Sequence, residues 1–412
     1  MSGQIQPVIL GADIGVYALA RSFHEAYGVR SVVVSGAALG PVAHSQLIDN
    51  VLVEDGHDPR QLVDRLVRLA DELSGRQLVL MANSDWLVRV VVQHRAELEP
   101  YYVVPFLSED LLERISDKAT FAEICQEIGI SVPRTIVQDF ARAGESGWQP
   151  VPVDIDYPLI AKAASSADYQ DVEFAGKKKV FEIGSAAELD ALWDSLAAAG
   201  FRGRFVVQEL IPGDDTQMRS ITAYVDSLGQ ITLLCSAHVL LEEHTPSGLG
   251  NPAAMVTTRI DGMLDQARHF LKSTGYVGFA NFDVKVDPRD GSFRFFEVNP
   301  RIGRNNYYVT AAGANPMRFL VEDRVEGRAV EPVVVDREIL YSILPHQLLL
   351  RYVLDPALRA RVQGLIKGGK VAHPLRYAKD ASPRRLAYVA AAMINQVRKF
   401  RRYYPEVTGT GF

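Results

Sequence analysis

The sequence predicts an α/β unit followed by a mixed α+β unit, with a smaller basic region at the C-terminal side. Three observations carry this reading. Over residues 1–115, short apolar runs alternate with helical patterns, the order expected of a parallel sheet flanked by helices. Over residues 116–330, a helix start leads into strands and helices in α+β order, ending in a mostly antiparallel sheet. From Arg351 onward thirteen Lys or Arg stand against three acids, a local balance of +10, in a chain whose net charge is -6. At 412 residues there is room for two or three domains with their own cores. With 48% hydrophobic and 23% charged residues, the composition is that of an ordinary globular protein rather than a disordered or membrane-spanning one.

The first unit opens with the strand Pro7-Val-Ile-Leu, a turn Gly11-Ala-Asp13-Ile-Gly15, and a helical pattern from Val16. A phosphate could sit at such a helix start, but the full dinucleotide fingerprint is missing. A steric need for glycine is the better account, so no cofactor is assigned to this domain. Ser31-Val-Val-Val, Val51-Leu-Val, Leu78-Val-Leu-Met and Tyr102-Val-Val supply the remaining strands.

The second unit divides into lobes at about 116–210 and 211–330. Ser116 or Asp117 caps a helix that begins at Lys118. Tyr157-Pro-Leu-Ile-Ala-Lys162 is a strand ending in lysine, where an unpaired ammonium beside apolar residues would be costly and a phosphate would compensate it. After a polar loop over 164–179 and a helix over 185–200 comes Arg204-Phe-Val-Val-Gln208-Glu209-Leu-Ile211, followed by a Pro-Gly turn and the acids Asp214 and Asp215. Each of these pieces alone also has a plain structural explanation.

The richest stretch is Phe279-Ala-Asn-Phe-Asp283-Val-Lys285 through Asp290-Gly291 to Phe296-Glu297-Val-Asn299-Pro-Arg301. Two strands with polar groups at every second position are joined by a strong turn signal. Asp283 and Lys285 share one face, Glu297, Asn299 and Arg301 share another, and Phe282, Val284, Phe296 and Val298 alternate with them. A reversal near Arg289 or Asp290 sets Asp283 opposite Glu297. Two carboxylates about 5 Å apart at Cβ repel unless a cation lies between them. Asp283, Glu297 and the Asn299 amide oxygen suit Mg2+, a hard ion that takes one or two carboxylates and shares substrate phosphate.

In this order the pieces resemble the ATP-grasp fold over about residues 116–325, the most specific element being Phe296-Glu297-Val-Asn299-Pro-Arg301. Longer stretches, Asp13-Ile-Gly-Val-Tyr-Ala-Leu-Ala-Arg21, Ile211-Pro-Gly-Asp-Asp-Thr-Gln-Met-Arg219 and Gly278-Phe-Ala-Asn-Phe-Asp283, are similar to the D-aspartate ligase group of that superfamily. The resemblance implies ATP and Mg2+ as cofactors and amide formation through an acyl phosphate. It implies that Lys118 and Lys162 hold ATP phosphates and that the hinge strand Gln208-Glu209-Leu-Ile211 meets adenine through the backbones of Glu209 and Ile211. Asp214 or Asp215 would take ribose. Asp283, Glu297 and Asn299 would bind magnesium, and Arg301 would stabilise the acyl phosphate. Lys285, Arg219 and Arg259 would be further phosphate or carboxylate partners. The loop 164–179 departs from the usual glycine-rich pattern; Ser165, Ser166 and Lys177 to Lys179 could supply donors instead.

The implied partners are D-aspartate or another small amino acid, and an amine acceptor, the lysine side chain of a peptidoglycan precursor. A polyanionic, nucleotide-linked precursor would suit the basic region 331–412, including Lys370, Arg384 and Arg385. A ligase for a different amino acid or a dipeptide-type acceptor, or a non-catalytic nucleotide-binding regulator, are the competing readings. Residues that read the amino acid are expected in the first domain and in the loop 242–251. Arg384 to Tyr404 reads as an amphipathic helix, packed on the body or resting on anionic lipid. Nucleic acid is not an expected partner, since the basic residues lack regular aromatic interleaving. Two cysteines, Cys125 and Cys235, support neither a disulfide framework nor a zinc site. With no leader and no long apolar run, a cytoplasmic location is expected.

Overall fold

In the computed structural model, which describes residues 4–165, 168–169, 172–246 and 248–411, the strands fall into three sheets. The apolar runs of the first unit form β1 (Ile5–Leu10), β2 (Ser31–Ser35), β3 (Ile48–Leu52), β4 (Gln77–Ala82) and β5 (Tyr102–Val103). They lie in the order β3-β2-β1-β4-β5, all parallel. The helix Ile14–Tyr27 follows β1 directly. Asp13 caps it by accepting from the Gly15 and Val16 amides at 2.9 and 3.0 Å, and Gly28 ends it at φ 68°.

The second sheet is antiparallel. It holds β6 (Thr135–Asp139), β7 (Leu159–Ala163), β8 (Phe181–Ile183) and β9 (Arg204–Glu209) in the order β6-β9-β7-β8. Its inner face packs against the helix Ala186–Ala198 around Phe140, Trp193, Phe201 and Phe205, a core of its own. The third sheet is built from β10 (Met218–Val225), β11 (Ile231–Glu242), β12 (Pro252–Thr257), β13 (Gly278–Val286), β14 (Phe293–Asn299), β15 (Val333–Val334), β16 (Leu340–Ser342) and β17 (Val371–Ala372). Its path is β14-β13-β10-β11-β12-β16-β17, and β15 pairs with β11. Residues 333–372 thus extend the sheet of the preceding lobe, although their sequence reads as the start of a separate basic region.

Two apolar clusters join the first and third sheets. One brings Ile9, Tyr17 and Phe23 together with Leu233, Met255 and Tyr308; the other brings Val8 and Leu80 together with Phe270, Phe282 and Val298. The first unit and the last therefore form a continuous body, and the lobe built on β6 to β9 stands on it with a separate core. Cys125 and Cys235 are both buried.

The basic segment forms the helix Pro383–Tyr403, capped by Ser382, with Arg385, Val389 and Phe400 buried. This helix lies on the protein body. Arg385, expected to face a polyanionic substrate, is 1% exposed. Its guanidinium lies 3.9 Å from the centre of the Tyr17 ring, donates to the Pro41 carbonyl and sits 3.6 Å from Asp380. Burial against an acid and an aromatic face makes it a clamp between the helix and the first unit. Among the described residues, no helix is long and apolar enough to cross a membrane.

Candidate functional site

The β13–β14 hairpin has the register its sequence implies. Asp283 pairs with Glu297 and Asn281 with Asn299, and the turn closes through Gly291 at φ 74°. Between Asp283 and Val284 the register slips by one residue, so that Val284 pairs with Phe295 and Phe296 is left over. The expected alternation therefore fails at one point. Phe295 enters the core at 1% exposure, and Phe296 lies instead on the other face, where the Lys162 ammonium stands 5.6 Å from its ring centre. The bulge gives both lobes a contact at the site.

Around the hairpin a cleft collects side chains from distant parts of the chain. Asp283, Glu297, Asn299 and Arg301 line it together with Lys118, Ser165 and Lys179 of the middle lobe and Asp85 and Arg89 of the first unit. The Lys118 ammonium is 3.3 Å from Glu297. Its position follows from the Asp117 cap of the helix Lys118–Glu127, and from the Lys118 amide, which donates to the Ala164 carbonyl at 3.0 Å. Asp117 also pairs with Arg204 at 2.9 Å.

Electrostatics separate the two acids. Burial and the neighbouring Glu297 push the Asp283 carboxyl up to about 7. Burial would raise Glu297 as well, yet Lys118, Lys162 and Lys179 hold it below the usual carboxylate range. Burial also lowers the Lys162 ammonium to about 8, with Glu297 opposing the shift. A pair of buried acids with one uncompensated member fits a divalent cation. Asn299 donates to Asp283 at 3.1 Å and its amide oxygen accepts from Arg301 at 3.2 Å, so the two carboxylates meet at the cleft with Asn299 linking them to Arg301. Among the described residues, no group of three or more His, Cys, Asp or Glu side chains gathers to hold a metal. Mg2+, which completes its shell with water and phosphate, suits the smaller set.

Arg301 is held by Asp85, with Nε donating at 2.7 Å, and burial notwithstanding this pairing keeps it charged. Arg304, absent from the expected set, bridges Asp13 at 3.0 Å and Glu243 at 2.6 Å. Asp13 also accepts from Asn83 at 3.1 Å. Gly15 is needed for this junction: a Cβ there would lie 2.8 Å from the Arg304 carbonyl oxygen and 2.1 Å from Asn83 Nδ2. The only sequence signal for Arg304 was its place in the polar run after Asn299. The loop after β11 contributes Gly250 and Asn251 to the cleft wall, and β12 adds its first residue, Pro252, beside the first-unit residues.

The expected hinge and ribose residues, with Lys285, Arg219 and Arg259, lie outside this cleft. Gln208 is buried and donates to Thr135 at 2.9 Å. The Glu209 amide is used by the Arg134 carbonyl, and its carboxylate meets the Arg134 amide at 3.1 Å and Arg289 at 3.2 Å. The Ile211 amide and carbonyl bond to no described residue, which leaves that stretch of backbone open to a planar ligand edge. Asp214 caps the turn at Thr216. Asp215, by contrast, is buried and accepts from the Glu242 amide and His244 Nε2, both at 2.8 Å. Lys285 is 5% exposed and donates to the Gly213 carbonyl at 2.6 Å, so it anchors the hinge turn. Beside them Glu242 is pushed up to about 8 by burial, Asp215 and Asp283. Arg219 donates to the Thr216 and Met218 carbonyls, and Arg259 pairs with Asp261 at the surface. Ser165 and Lys179 of the phosphate loop line the cleft and Lys177 pairs with Glu173, while Ser166 lies outside the described residues.

Residues 117–315 match the family model described as the carbamoyl-phosphate synthase L chain, ATP binding domain. The chain is 33% identical over 408 residues to a D-aspartate ligase of Enterococcus faecium (strain Aus0004), covering 97% of this chain and 96% of that one. Among solved structures, an L-amino acid ligase from Bacillus licheniformis shares the fold with a TM-score of 0.55 at 13% identity, over 79% of this chain and 75% of that one. The biotin carboxylase domain of a Hydrogenobacter thermophilus 2-oxoglutarate carboxylase, in complex with MgADP, does so with a TM-score of 0.58 at 14% identity, over 79% and 71%.

Proposed function

Because the chain belongs to the D-aspartate ligase family of ATP-grasp enzymes, which use ATP with Mg2+, we propose that it joins the side-chain carboxylate of D-aspartate to the lysine side-chain amine of a peptidoglycan precursor peptide. The observation that carries this reading is the Asp283–Glu297 pair facing Lys118 across the cleft, in a chain aligned over nearly its full length with a D-aspartate ligase.

A carboxylate is a poor acyl donor, because oxide would have to leave. Transfer of the γ-phosphoryl group of ATP makes an acyl phosphate, which the amine attacks to form the amide, and ADP and phosphate are released. Mg2+, when held by Asp283, Glu297 and Asn299, neutralises phosphate charge. The chain's own cations supply the rest: Lys118 and Lys162 approach from the middle lobe, and Arg301 from the hairpin. Asp85 fixes the Arg301 guanidinium in place, so little reorganisation is needed when negative charge develops on the transferring group. Asn251, Arg304 and the first-unit residues Asp85 and Arg89 wall the end of the cleft where an amino acid would lie. The open backbone at Ile211 suits adenine, and Asp214, freer than Asp215, suits ribose.

Purified protein supplied with ATP, Mg2+, D-aspartate and a lysine-containing precursor peptide is expected to release phosphate and yield the amide by mass spectrometry. Turnover with another D- or L-amino acid and none with D-aspartate would remove this substrate. Absence of turnover with every amino acid would remove the ligase reading.

A further inference from the structure

The cations of the cleft differ in the anions already beside them. Lys118 faces Glu297, Arg301 is held by Asp85, and Arg304 stands between two acids, Asp13 and Glu243. Arg304 therefore offers no net positive charge to a ligand. Lys179 also lines the cleft, but it comes from the middle lobe, as Lys118 and Lys162 do, and belongs with the phosphates.

Arg89 is different. It lies on the helix Asp85–Gln93 of the first unit, is half-buried, and lines the cleft, yet its side chain forms no hydrogen bond or ion pair with any described residue. The reason stands one turn earlier. Asp85 precedes Arg89 by four residues, a spacing at which an acid and an arginine on a helix ordinarily pair. Asp85 instead accepts from Arg301 through both carboxylate oxygens, at 2.7 and 3.3 Å. Arg89 is thus left as an open guanidinium on the first-unit wall. Trp86 and Leu112 add apolar surface to the same cleft, and beside apolar surface a charge-assisted hydrogen bond loses less to competing water.

We propose that Arg89 binds the spectator carboxylate of the amino-acid substrate, the one that is not phosphorylated, and so makes the cleft select a dicarboxylate. This role presupposes the D-aspartate reading above and names the residue that would select that substrate. Phosphoryl transfer engages only the side-chain carboxylate, near Arg301 and the Asp283–Glu297 pair. The α-carboxylate stays ionised throughout and brings a second negative charge into a cleft that must also hold a triphosphate. Taking it out of water requires a cation that no protein acid has claimed. Arg89 meets that requirement, and a guanidinium fork can take a carboxylate with two parallel hydrogen bonds.

The test removes the contact from each side in turn. β-Alanine is aspartate without its α-carboxylate, and Arg89→Ala removes the proposed partner. The whole protein, supplied with ATP, Mg2+ and a lysine-containing precursor peptide, is assayed for ADP release with D-aspartate and with β-alanine. Where β-alanine turns over too slowly to follow, its inhibition constant against D-aspartate is read instead. The parent should prefer D-aspartate by roughly 10- to 100-fold, the scale of a charge-assisted contact. Arg89→Ala should lose that preference: kcat/KM for D-aspartate falls roughly 10- to 100-fold through KM, while β-alanine and the KM for ATP stay within about threefold of the parent. An unchanged KM for ATP and circular dichroism spectrum establish that the variant is folded; if it fails these, Arg89→Gln replaces it, with at least about a tenfold loss expected. A parent indifferent to the α-carboxylate, a preference unchanged in the variant, equal losses with both substrates, or a change confined to the KM of the acceptor peptide would overturn the role of Arg89 and leave the D-aspartate reading standing. A parent that turns over another amino acid and not D-aspartate would remove that reading, and the role with it.

Discussion

Glu297→Gln keeps the shape of the side chain and removes its charge. Opposite unit charges at the 3.3 Å that separate Glu297 from Lys118 attract by roughly 5 kcal/mol at an effective dielectric of about 20. The same substitution removes repulsion from Asp283 on the neighbouring strand, roughly 3 kcal/mol at about 5 Å. The two offset in part, so folding stability should fall by only about 2 kcal/mol. Catalysis has no such compensation. With one carboxylate left to hold Mg2+ against the triphosphate, kcat should fall roughly 100- to 1,000-fold, the range for losing one preorganised charge-stabilising group. The half-saturating Mg2+ concentration should rise by about tenfold or more. Coupled ADP-release kinetics with D-aspartate across a Mg2+ series, beside thermal unfolding, read both quantities. A kcat within threefold of the parent at unchanged Mg2+ dependence would refute the assignment of Glu297 to the reaction. A collapse in Tm would refute the offset and make the residue structural.

Three further perturbations test the surrounding architecture. Gly15→Ala places a Cβ within 2.8 Å of the Arg304 carbonyl oxygen; overpacking of this kind costs about 1–3 kcal/mol, so Tm should fall by several degrees and activity should suffer with it. Asp287 is fully buried and accepts from the Arg289 amide and guanidinium, and these bonds, against an opposing burial effect, lower it from 3.8 to about 2. Its contribution, about 1–2 kcal/mol after allowance for the half-exposed Arg289, is fully present above pH 4 and lost as pH falls through about 2. Asp287→Asn should therefore be less stable at pH 7 in urea titrations, with the gap to the parent closing below about pH 3. Phe205→Ala empties the centre of the middle lobe, where Trp193 and Tyr169 rings both lie 5.7 Å away. A loss of about 3–5 kcal/mol confined to that lobe should appear in calorimetry as an early, separate transition, because its core is distinct from the two beneath it. A single cooperative transition for parent and variant would contradict that separation.

How far the sequence could be read depended on the distance over which residues act. The Asp283–Glu297 pairing followed from local rules, since strand side chains alternate with a period of two and Asp290-Gly291 marks the reversal. The same rules missed the bulge beside it, because one extra residue changes the facing of Phe295 and Phe296 without altering composition. Lys162 could be singled out by cost, as an ammonium group set against apolar surroundings, whereas Lys118 at a helix start was marked only by the family resemblance. Asp215 and Lys285 looked equally suited to ligand contact, and the fold commits them to His244 and to the Gly213 carbonyl.

The α/β order of the first unit, the hairpin register and the carboxylate pair were determined by the sequence, because periodicity, turn chemistry and charge are properties of neighbouring residues. Tertiary structure decided what meets them: Asp85 on Arg301, Asp13 on Arg304, Arg385 buried against Tyr17, and Arg21 holding the segment that carries Arg376. Those contacts join residues separated by up to several hundred positions. Packing of the first unit onto the third sheet brings them together, and no local pattern in the chain encodes it.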